Sequence, residues 1–321
     1  MDADTGADIG LVLGTMYFGT RTDEATSFAL LDRYVEAGGR VLDTANCYSF
    51  WTSPTGHGGQ SEALLGRWLA ANPGLRDELV LATKVGVEPT DDGGIEGLAA
   101  TVIEREAARS LERLGVDAVD LYWAHGEDRS TDLEETVAAF GALVERGVVR
   151  RLGVSNHPTW RVERGRAIAD RLGVEPWTAL QLTTSYVEPR PGAQVPGKDH
   201  RFGFVSDETV DYLDSHPELD LWVYSPLVQG SFDRADRPFP DAYDHPGTTA
   251  RLATLARVAE ARGVPRSQVV LAWMLARGWK PIVGVSSVEQ LDSALASVRL
   301  VSDQLVSDQL GADLLGADSL P

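Results

Sequence analysis

Three short apolar runs of the sequence end in, or are closely followed by, residues that can hold or transfer a proton: Asp43, Tyr48, Lys84 and His125. A lysine held near a tyrosine stabilises the phenolate and lowers the pKa of the phenol from its usual value of about 10. A carboxylate beside that lysine keeps it charged, and a histidine beside the phenol can hydrogen-bond a substrate carbonyl. Such a group of residues could protonate a carbonyl oxygen while another group reduces its carbon.

Taken one at a time, these four residues have ordinary structural explanations. A carboxylate at a strand end often caps a loop or a helix, and a tyrosine beside Phe50 and Trp51 suits a core or a rim. A lysine after a strand is usually solvated, and a histidine on an apolar strand is usually a hydrogen-bonded core residue. The chemical interpretation therefore depends on whether the fold brings the strand ends together.

Eight apolar runs rich in Val, Leu and Ile are spaced along the chain, as expected for strands that are buried on both faces. They cover residues 9–18, 40–45, 79–85, 119–126, 150–156, 179–184, 219–226 and 280–287. Amphipathic segments between them end at glycines, which indicates helices that glycine terminates: Gly38, Gly115, Gly147, Gly173 and Gly263. This alternation predicts an α/β fold, a single-domain (β/α)8 TIM barrel spanning residues 1–321.

A doubly wound open sheet is the alternative fold. It would hold a dinucleotide at a G-x-G-x-x-G turn after the first strand, and the sequence there, GTMYFGT at 14–20, lacks that spacing. In a barrel, polar residues at the carboxyl ends of the strands point into one pocket. The long Gly- and Pro-rich loops 49–60 and 187–204 would lie on the same face. The tail at 301–321 repeats every five residues, which matches neither helix nor strand, so we expect it to be irregular.

The composition limits the classes of partner. The chain has 321 residues and a formal charge of -19, from 29 Lys and Arg against 48 Asp and Glu. This acidity disfavours nucleic-acid backbones and anionic membrane surfaces, and no apolar run reaches the ~18 residues of a membrane span. Cys47 is the single cysteine, so no intramolecular disulfide can form. We predict a cytoplasmic protein with no metal site, and the oligomeric state stays open.

Seven motifs that follow one another along nearly the whole chain resemble those of the aldo-keto reductases, in particular the bacterial type with a short C-terminal tail. LDTANCY (42–48), ATK (82–84) and LYWAH (121–125) are similar to the catalytic segments of that family. GVSNH (153–157), LQL (180–182), VYSPL (223–227) and IVGVSSVEQL (282–291) are similar to its cofactor segments.

The resemblance implies an oxidoreductase that reduces an aldehyde, ketone or sugar carbonyl with a nicotinamide cofactor. Tyr48 would be the general acid, with its pKa lowered by Lys84 and Asp43, and His125 would orient the carbonyl. The implied cofactor-binding residues are Thr15, Met16, Asp43, Ser155, Asn156, Gln181, Tyr224, Ser225, Leu227, Gly230, Gly284, Ser286, Ser287 and Gln290. Within this set, Ser155, Asn156 and Gln181 would hold the carboxamide. Tyr224 would stack on the nicotinamide ring.

The segment after the last strand departs from the family pattern. Members that bind the 2′-phosphate often carry a Lys or Arg there, where this chain has Gly284 and Gln290, and Ala294 stands where an Asn is common. The loss of charge-assisted contacts weakens the case for NADPH over NADH. Backbone N–H and hydroxyl groups of Gly284, Ser286 and Ser287 could still cradle a phosphate. NADP(H) is favoured, and NAD(H) is possible.

Aromatic residues near the predicted site suggest the walls of a pocket for a small carbonyl substrate: Tyr17, Trp51 and Trp123. The loop 187–204 adds Lys198, His200 and Arg201, which could meet an acidic substrate or simply be solvated. Two other functions stay open. One is a cofactor-binding regulatory module that resembles channel-associated β subunits, and the other is a sugar or nucleotide-sugar dehydrogenase or reductase with a dedicated biosynthetic substrate.

Overall fold

The structure, a computed structural model, describes residues 9–198, 200 and 202–301. The predicted irregular tail at 301–321 therefore lies outside the described residues, apart from Val301. In the part of the chain that the structure describes, no helix combines the length and the apolar character needed to cross a membrane.

Eight parallel strands close into a barrel in chain order. They are β1 (Val12–Gly14), β2 (Val41–Asp43), β3 (Val80–Val85), β4 (Val119–Ala124), β5 (Val149–Ser155), β6 (Trp177–Thr183), β7 (Asp220–Tyr224) and β8 (Lys280–Gly284). Pairing of Val12 in β1 with Ile282 in β8 completes the ring. The predicted (β/α)8 barrel is thus confirmed, and the open sheet is excluded because an open sheet has no bond between its outer strands.

Nine α-helices lie between and after the strands within the described part of the chain. They are α1 (Glu24–Glu36), α2 (Gln60–Ala71), α3 (Ala100–Leu114), α4 (Leu133–Glu145), α5 (Thr159–Leu172), α6 (Asp207–Ser215), α7 (Pro246–Arg262), α8 (Arg266–Ala276) and α9 (Val288–Ala296). All five predicted glycine stops, Gly38, Gly115, Gly147, Gly173 and Gly263, adopt the positive φ that terminates a helix. Two helices, α7 and α8, connect β7 to β8, so the strict alternation ends there.

The barrel interior is filled by side chains from seven of the eight strands, including Val12, Ala82, Trp123 and Trp222. The two indole rings meet edge to face with centroids 5.2 Å apart, and Trp123 is 0% exposed. This corrects the prediction that Trp123 forms a pocket wall. Trp123 does share a face with His125, but it lies two residues deeper along the chain, about 6–7 Å below His125, where the barrel is packed.

The close fit around Trp123 yields a test of this interior. A Cβ added to Gly153 in β5 would lie 2.4 Å from ring carbons of Trp123. We expect Gly153→Ala to lower the free energy of unfolding by about 1–3 kcal/mol, because the ring must move within a filled interior. Gly284→Ala is the matched control, since no heavy atom of the described residues, apart from its chain neighbours, lies within 4 Å of its added Cβ. Equal urea-unfolding curves for the two variants would contradict this packing.

Candidate active site

The order of the strands in the barrel places Asp43, Lys84 and His125 at the same mouth. Asp43 is the last residue of β2, Lys84 lies near the end of β3, and His125 directly follows β4. These three strands are neighbours in the sheet. Tyr48 comes from the loop after β2, so all four residues predicted from the sequence meet at the carboxyl ends of adjacent strands.

The ammonium group of Lys84 is the centre of this cluster. Lys84 is fully buried, and its Nζ donates hydrogen bonds to Asp43 Oδ2 at 2.6 Å, to the Thr44 carbonyl at 2.8 Å and to the Tyr48 hydroxyl at 2.6 Å. Three acceptors match the three N–H donors of an ammonium. The geometry therefore corresponds to a charged lysine that touches both the carboxylate and the phenol.

The loop that carries Tyr48 is held in an unusual conformation by Ser49. Ser49 is fully buried and has a φ of 72°, a region that non-glycine residues rarely occupy. Its hydroxyl donates a 2.6 Å hydrogen bond to the Met16 carbonyl. The sequence carries no signal for this role, because serine is common in loops. Ser49 turns the chain directly after Tyr48, and the Tyr48 ring lies edge-on to the His125 imidazole at 5.8 Å.

The protonation states at the mouth differ from the prediction in one respect. Burial, together with the Asp43 carboxylate, raises the pKa of Tyr48 well above its usual value, whereas the sequence predicted that it would be lowered. The reason is that a phenolate in this enclosed site loses its hydration. The phenol therefore keeps its proton at neutral pH, as a proton donor must. Burial and the nearby Lys84 charge hold the pKa of His125 well below its usual value, so the imidazole is neutral.

Ser155, Asn156 and Gln181 are brought together at the ends of β5 and β6, next to the cluster around Lys84. Ser155 and Gln181 are partners in the strand register, and the Gln181 amide donates to Asp43 Oδ1 at 3.1 Å. The Asn156 amide donates to the Ser155 hydroxyl and to the His125 carbonyl, both at 3.0 Å. The Tyr224 hydroxyl in turn donates to Asn156 Oδ1 at 2.8 Å. The Ser155, Asn156 and Tyr224 side chains thus form one polar network beside the Gln181–Asp43 pair, and these groups suit the carboxamide of a nicotinamide.

The turn after β7 has a backbone that is uncommon for its residues. Ser225, Val228 and Gln229 have φ values of 53°, 46° and 58°, and Gly230 follows with 91°. Non-glycine residues in the left-handed region are strained and cluster at ligand sites. Turns that mix right-handed and left-handed residues can direct several N–H groups toward an anion. The segment that holds Ser225, Leu227 and Gly230 therefore fits a pyrophosphate.

The segment after β8 leads into the first turn of α9. Ser287 is the N-cap of this helix and accepts from the Gln290 N–H, while the Ser286 N–H and hydroxyl both donate to Gln290 Oε1. Gly284 is exposed at the strand end. The helix N-terminus and two serine hydroxyls can receive a phosphate. Gln290 is at present engaged by Ser286 rather than free.

Thr15 and Met16 lie at the end of β1, where the sequence placed them, but their polar groups serve the scaffold. The Thr15 hydroxyl donates to the Asp43 carbonyl at 3.1 Å and is fully buried. The Met16 carbonyl accepts the bond from Ser49. Both residues therefore support the loop and strand that carry Tyr48 and Asp43.

Aromatic side chains from two loops line one side of the mouth. The Tyr17 and Trp51 rings meet edge to face with centroids 6.2 Å apart, and Trp51 is 41% exposed. The Arg21 guanidinium lies over the Tyr17 ring at 4.8 Å. Tyr17 and Trp51 thus come together as the sequence predicted for the pocket, in contrast to Trp123.

Lys198 packs against the Tyr224 ring, a contact that the sequence did not predict. Its Nζ lies 4.2 Å from the centre of the Tyr224 ring and donates to the Thr183 hydroxyl at 3.1 Å. Burial lowers the pKa of Lys198 to about 7. Lys198 is therefore packed against the predicted nicotinamide-stacking residue instead of being solvated. Arg201, from the same loop, lies outside the described residues.

The chain matches the model of the aldo/keto reductase family over residues 10–310. The protein belongs to the aldo/keto reductase family. It is accordingly an oxidoreductase, as the motifs at the strand ends implied.

Similar proteins come from bacteria and fungi. The uncharacterized oxidoreductase YrpG of Bacillus subtilis is 29% identical over 310 residues, which cover 91% of this chain and 88% of the relative. The norsolorinic acid reductase stcV of Emericella nidulans is 31% identical over 310 residues, covering 90% and 73%. The aryl-alcohol dehydrogenase GME11368 of Pestalotiopsis microspora is 27% identical over 287 residues, covering 85% and 68%.

Proposed function

We propose that this aldo/keto reductase reduces an aldehyde or ketone to the alcohol with a nicotinamide cofactor, and that Tyr48 donates the proton. The observation that carries the proposal is the buried Lys84 ammonium, which contacts both Asp43 and the Tyr48 hydroxyl at 2.6 Å. A buried charge of this kind, held at the mouth of a barrel beside a phenol, suits proton transfer. A purely structural ion pair would not need the tyrosine.

The proposed roles follow from the contacts. Tyr48 delivers its proton to the carbonyl oxygen, and Lys84 stabilises the phenolate that remains. Asp43 keeps Lys84 charged in its buried position. The neutral His125 donates a hydrogen bond that orients the carbonyl. When it is bound, the reduced nicotinamide supplies the hydride that attacks the carbonyl carbon.

We propose NADP(H) as the favoured cofactor, with NAD(H) possible. Ser155, Asn156 and Gln181 would hold the carboxamide, and the turn at residues 225–230 would receive the pyrophosphate. The 2′-phosphate would be held by the N–H groups and hydroxyls at the start of α9 instead of by a basic side chain.

Fluorescence titration with NADPH and with NADH tests this assignment, and the eight tryptophans of the chain supply the signal. We expect NADPH to bind at least as tightly as NADH. A preference for NADH of more than about tenfold, ~1.4 kcal/mol, would show that the basic residues missing after β8 decide the choice.

The substrate class that we propose is a small aromatic carbonyl compound. The exposed Trp51 and its neighbour Tyr17 offer ring faces and edges at the mouth. The name of the fungal aryl-alcohol dehydrogenase is consistent with this choice. Sugar rings also stack on such walls, so a sugar carbonyl belongs in the test panel.

A panel of aromatic aldehydes, ketones and sugars decides between the functions. The oxidation of the reduced cofactor, followed by its absorbance, measures the turnover of each compound. Turnover of aromatic aldehydes supports the proposal. Cofactor retained through purification without turnover of any compound would favour the regulatory module instead.

A further inference from the structure

The thiol of Cys47 lies against the imidazole of His125. The Sγ atom is 3.5 Å from His125 Nδ1, which is hydrogen-bonding distance for sulfur. Cys47 is 2% exposed and directly precedes Tyr48 in the chain. Among the residues that the structure describes, this contact is the one hydrogen bond of the His125 ring. The environment of Nδ1 is therefore set by the thiol.

The direction of this hydrogen bond follows from the two groups. Sulfur is a weak acceptor, whereas the unprotonated nitrogen of a neutral imidazole is a strong one, so the S–H donates to Nδ1. The thiol keeps its proton, because burial and the Glu88 carboxylate raise the pKa of Cys47. The imidazole is neutral and carries a single N–H. When Nδ1 accepts, that N–H must be at Nε2.

We propose that Cys47 is a positioning residue that holds His125 in the Nε2–H tautomer, so that the proton needed to hydrogen-bond the substrate carbonyl is on the nitrogen that the thiol leaves free. This inference rests on the proposed function, in which His125 orients the carbonyl. The opposite tautomer would present a lone pair to the carbonyl oxygen and repel it. Cys47 thus acts through His125 and does not itself touch the substrate.

The backbone around Cys47 supports this role because it is fixed from two sides. The Phe50 N–H donates to the Cys47 carbonyl at 3.2 Å. Gly58 packs against the other side, where an added Cβ would lie 2.4 Å from the Cys47 carbonyl carbon. The backbone that carries the thiol therefore has little freedom to move away from the imidazole.

The test compares Cys47→Ser, which keeps a donor, with Cys47→Val, which has a similar size and no donor. In protein carrying ¹⁵N-labelled histidine, the ring nitrogen shifts report the tautomer directly, and a His125→Asn sample assigns the signals among the six histidines. We expect wild type and Cys47→Ser to show the Nε2–H form alone. Cys47→Val should show both tautomers and lose about fivefold in kcat for an aromatic aldehyde, while Cys47→Ser stays within about twofold of wild type.

Two results would overturn the inference. One is a single Nε2–H tautomer in Cys47→Val, and the other is an equal loss of kcat in both variants with the tautomer unchanged, as expected if the thiol only fills space. The NMR measurement needs no turnover. If the wild-type protein reduced no carbonyl compound, the proposed function would fail, while the tautomer spectra would still decide what the thiol does to His125.

Discussion

Tyr48→Phe is expected to lower kcat for carbonyl reduction by about 10²–10⁴-fold, the usual contribution of general acid–base catalysis. The substitution removes the proton donor that lies 2.6 Å from the Lys84 ammonium. It keeps the ring, which packs edge-on to the His125 imidazole. The rate of cofactor oxidation with a saturating aromatic aldehyde measures the loss, and fluorescence titration should show that cofactor affinity changes little.

Tyr122→Phe is the matched control for this variant. Tyr122 is also fully buried, but it lies between the barrel and the helices, and its hydroxyl makes no hydrogen bond within the described residues. Its loss should leave kcat near the wild-type value. If Tyr48→Phe kept kcat within tenfold of wild type, another group would have to deliver the proton and the assignment of Tyr48 would be wrong.

Lys84→Met is expected to lower the free energy of unfolding by about 3–5 kcal/mol, because it leaves the Asp43 carboxylate buried without its counter-ion. Asp43 is 1% exposed, and among the residues that the structure describes its side chain keeps only the bonds from Gln181 and Tyr48. Activity should be lost as well, since the phenolate of Tyr48 would have no cation beside it. Urea unfolding at neutral pH measures the loss of stability.

The double variant Lys84→Met/Asp43→Asn is the control that separates charge from packing. Removing the carboxylate should restore much of the stability, since no buried charge is then left unpaired. Burial already raises the pKa of Asp43 against the effect of Lys84. Without Lys84, protonation of Asp43 relieves the unpaired charge, so the loss in the single variant should grow as the pH rises through the raised pKa. Equal stability of the single and double variants at all pH values would contradict this account.

The strand–helix order, the barrel and the four residues at its mouth could all be predicted from the sequence. Continuous apolar runs and glycine stops are local signals, and the barrel follows because eight such units in chain order must bury both faces of every strand. Asp43, Lys84 and His125 could be grouped because residues at the carboxyl ends of neighbouring parallel strands face one pocket. The family match over residues 10–310 agrees with the predicted barrel.

The tertiary structure decided how deeply a side chain is buried, which groups it contacts and which protonation state it adopts. Trp123 and His125 share a strand face, but only the closed barrel shows that Trp123 is enclosed by Trp222. Lys198 lies in a loop whose composition resembles that of a solvated segment, and its packing on Tyr224 arises from a contact between distant parts of the chain.

The raised pKa of Tyr48 and the contact between the Cys47 thiol and the His125 imidazole were also decided by the tertiary structure. The alternation of strands with helices and the glycines that end helices are encoded by neighbours in the sequence. The sequence by itself therefore determined which elements form and which polar residues end them. Desolvation and hydrogen-bond direction depend on what surrounds an atom in three dimensions, and only the folded chain decided those.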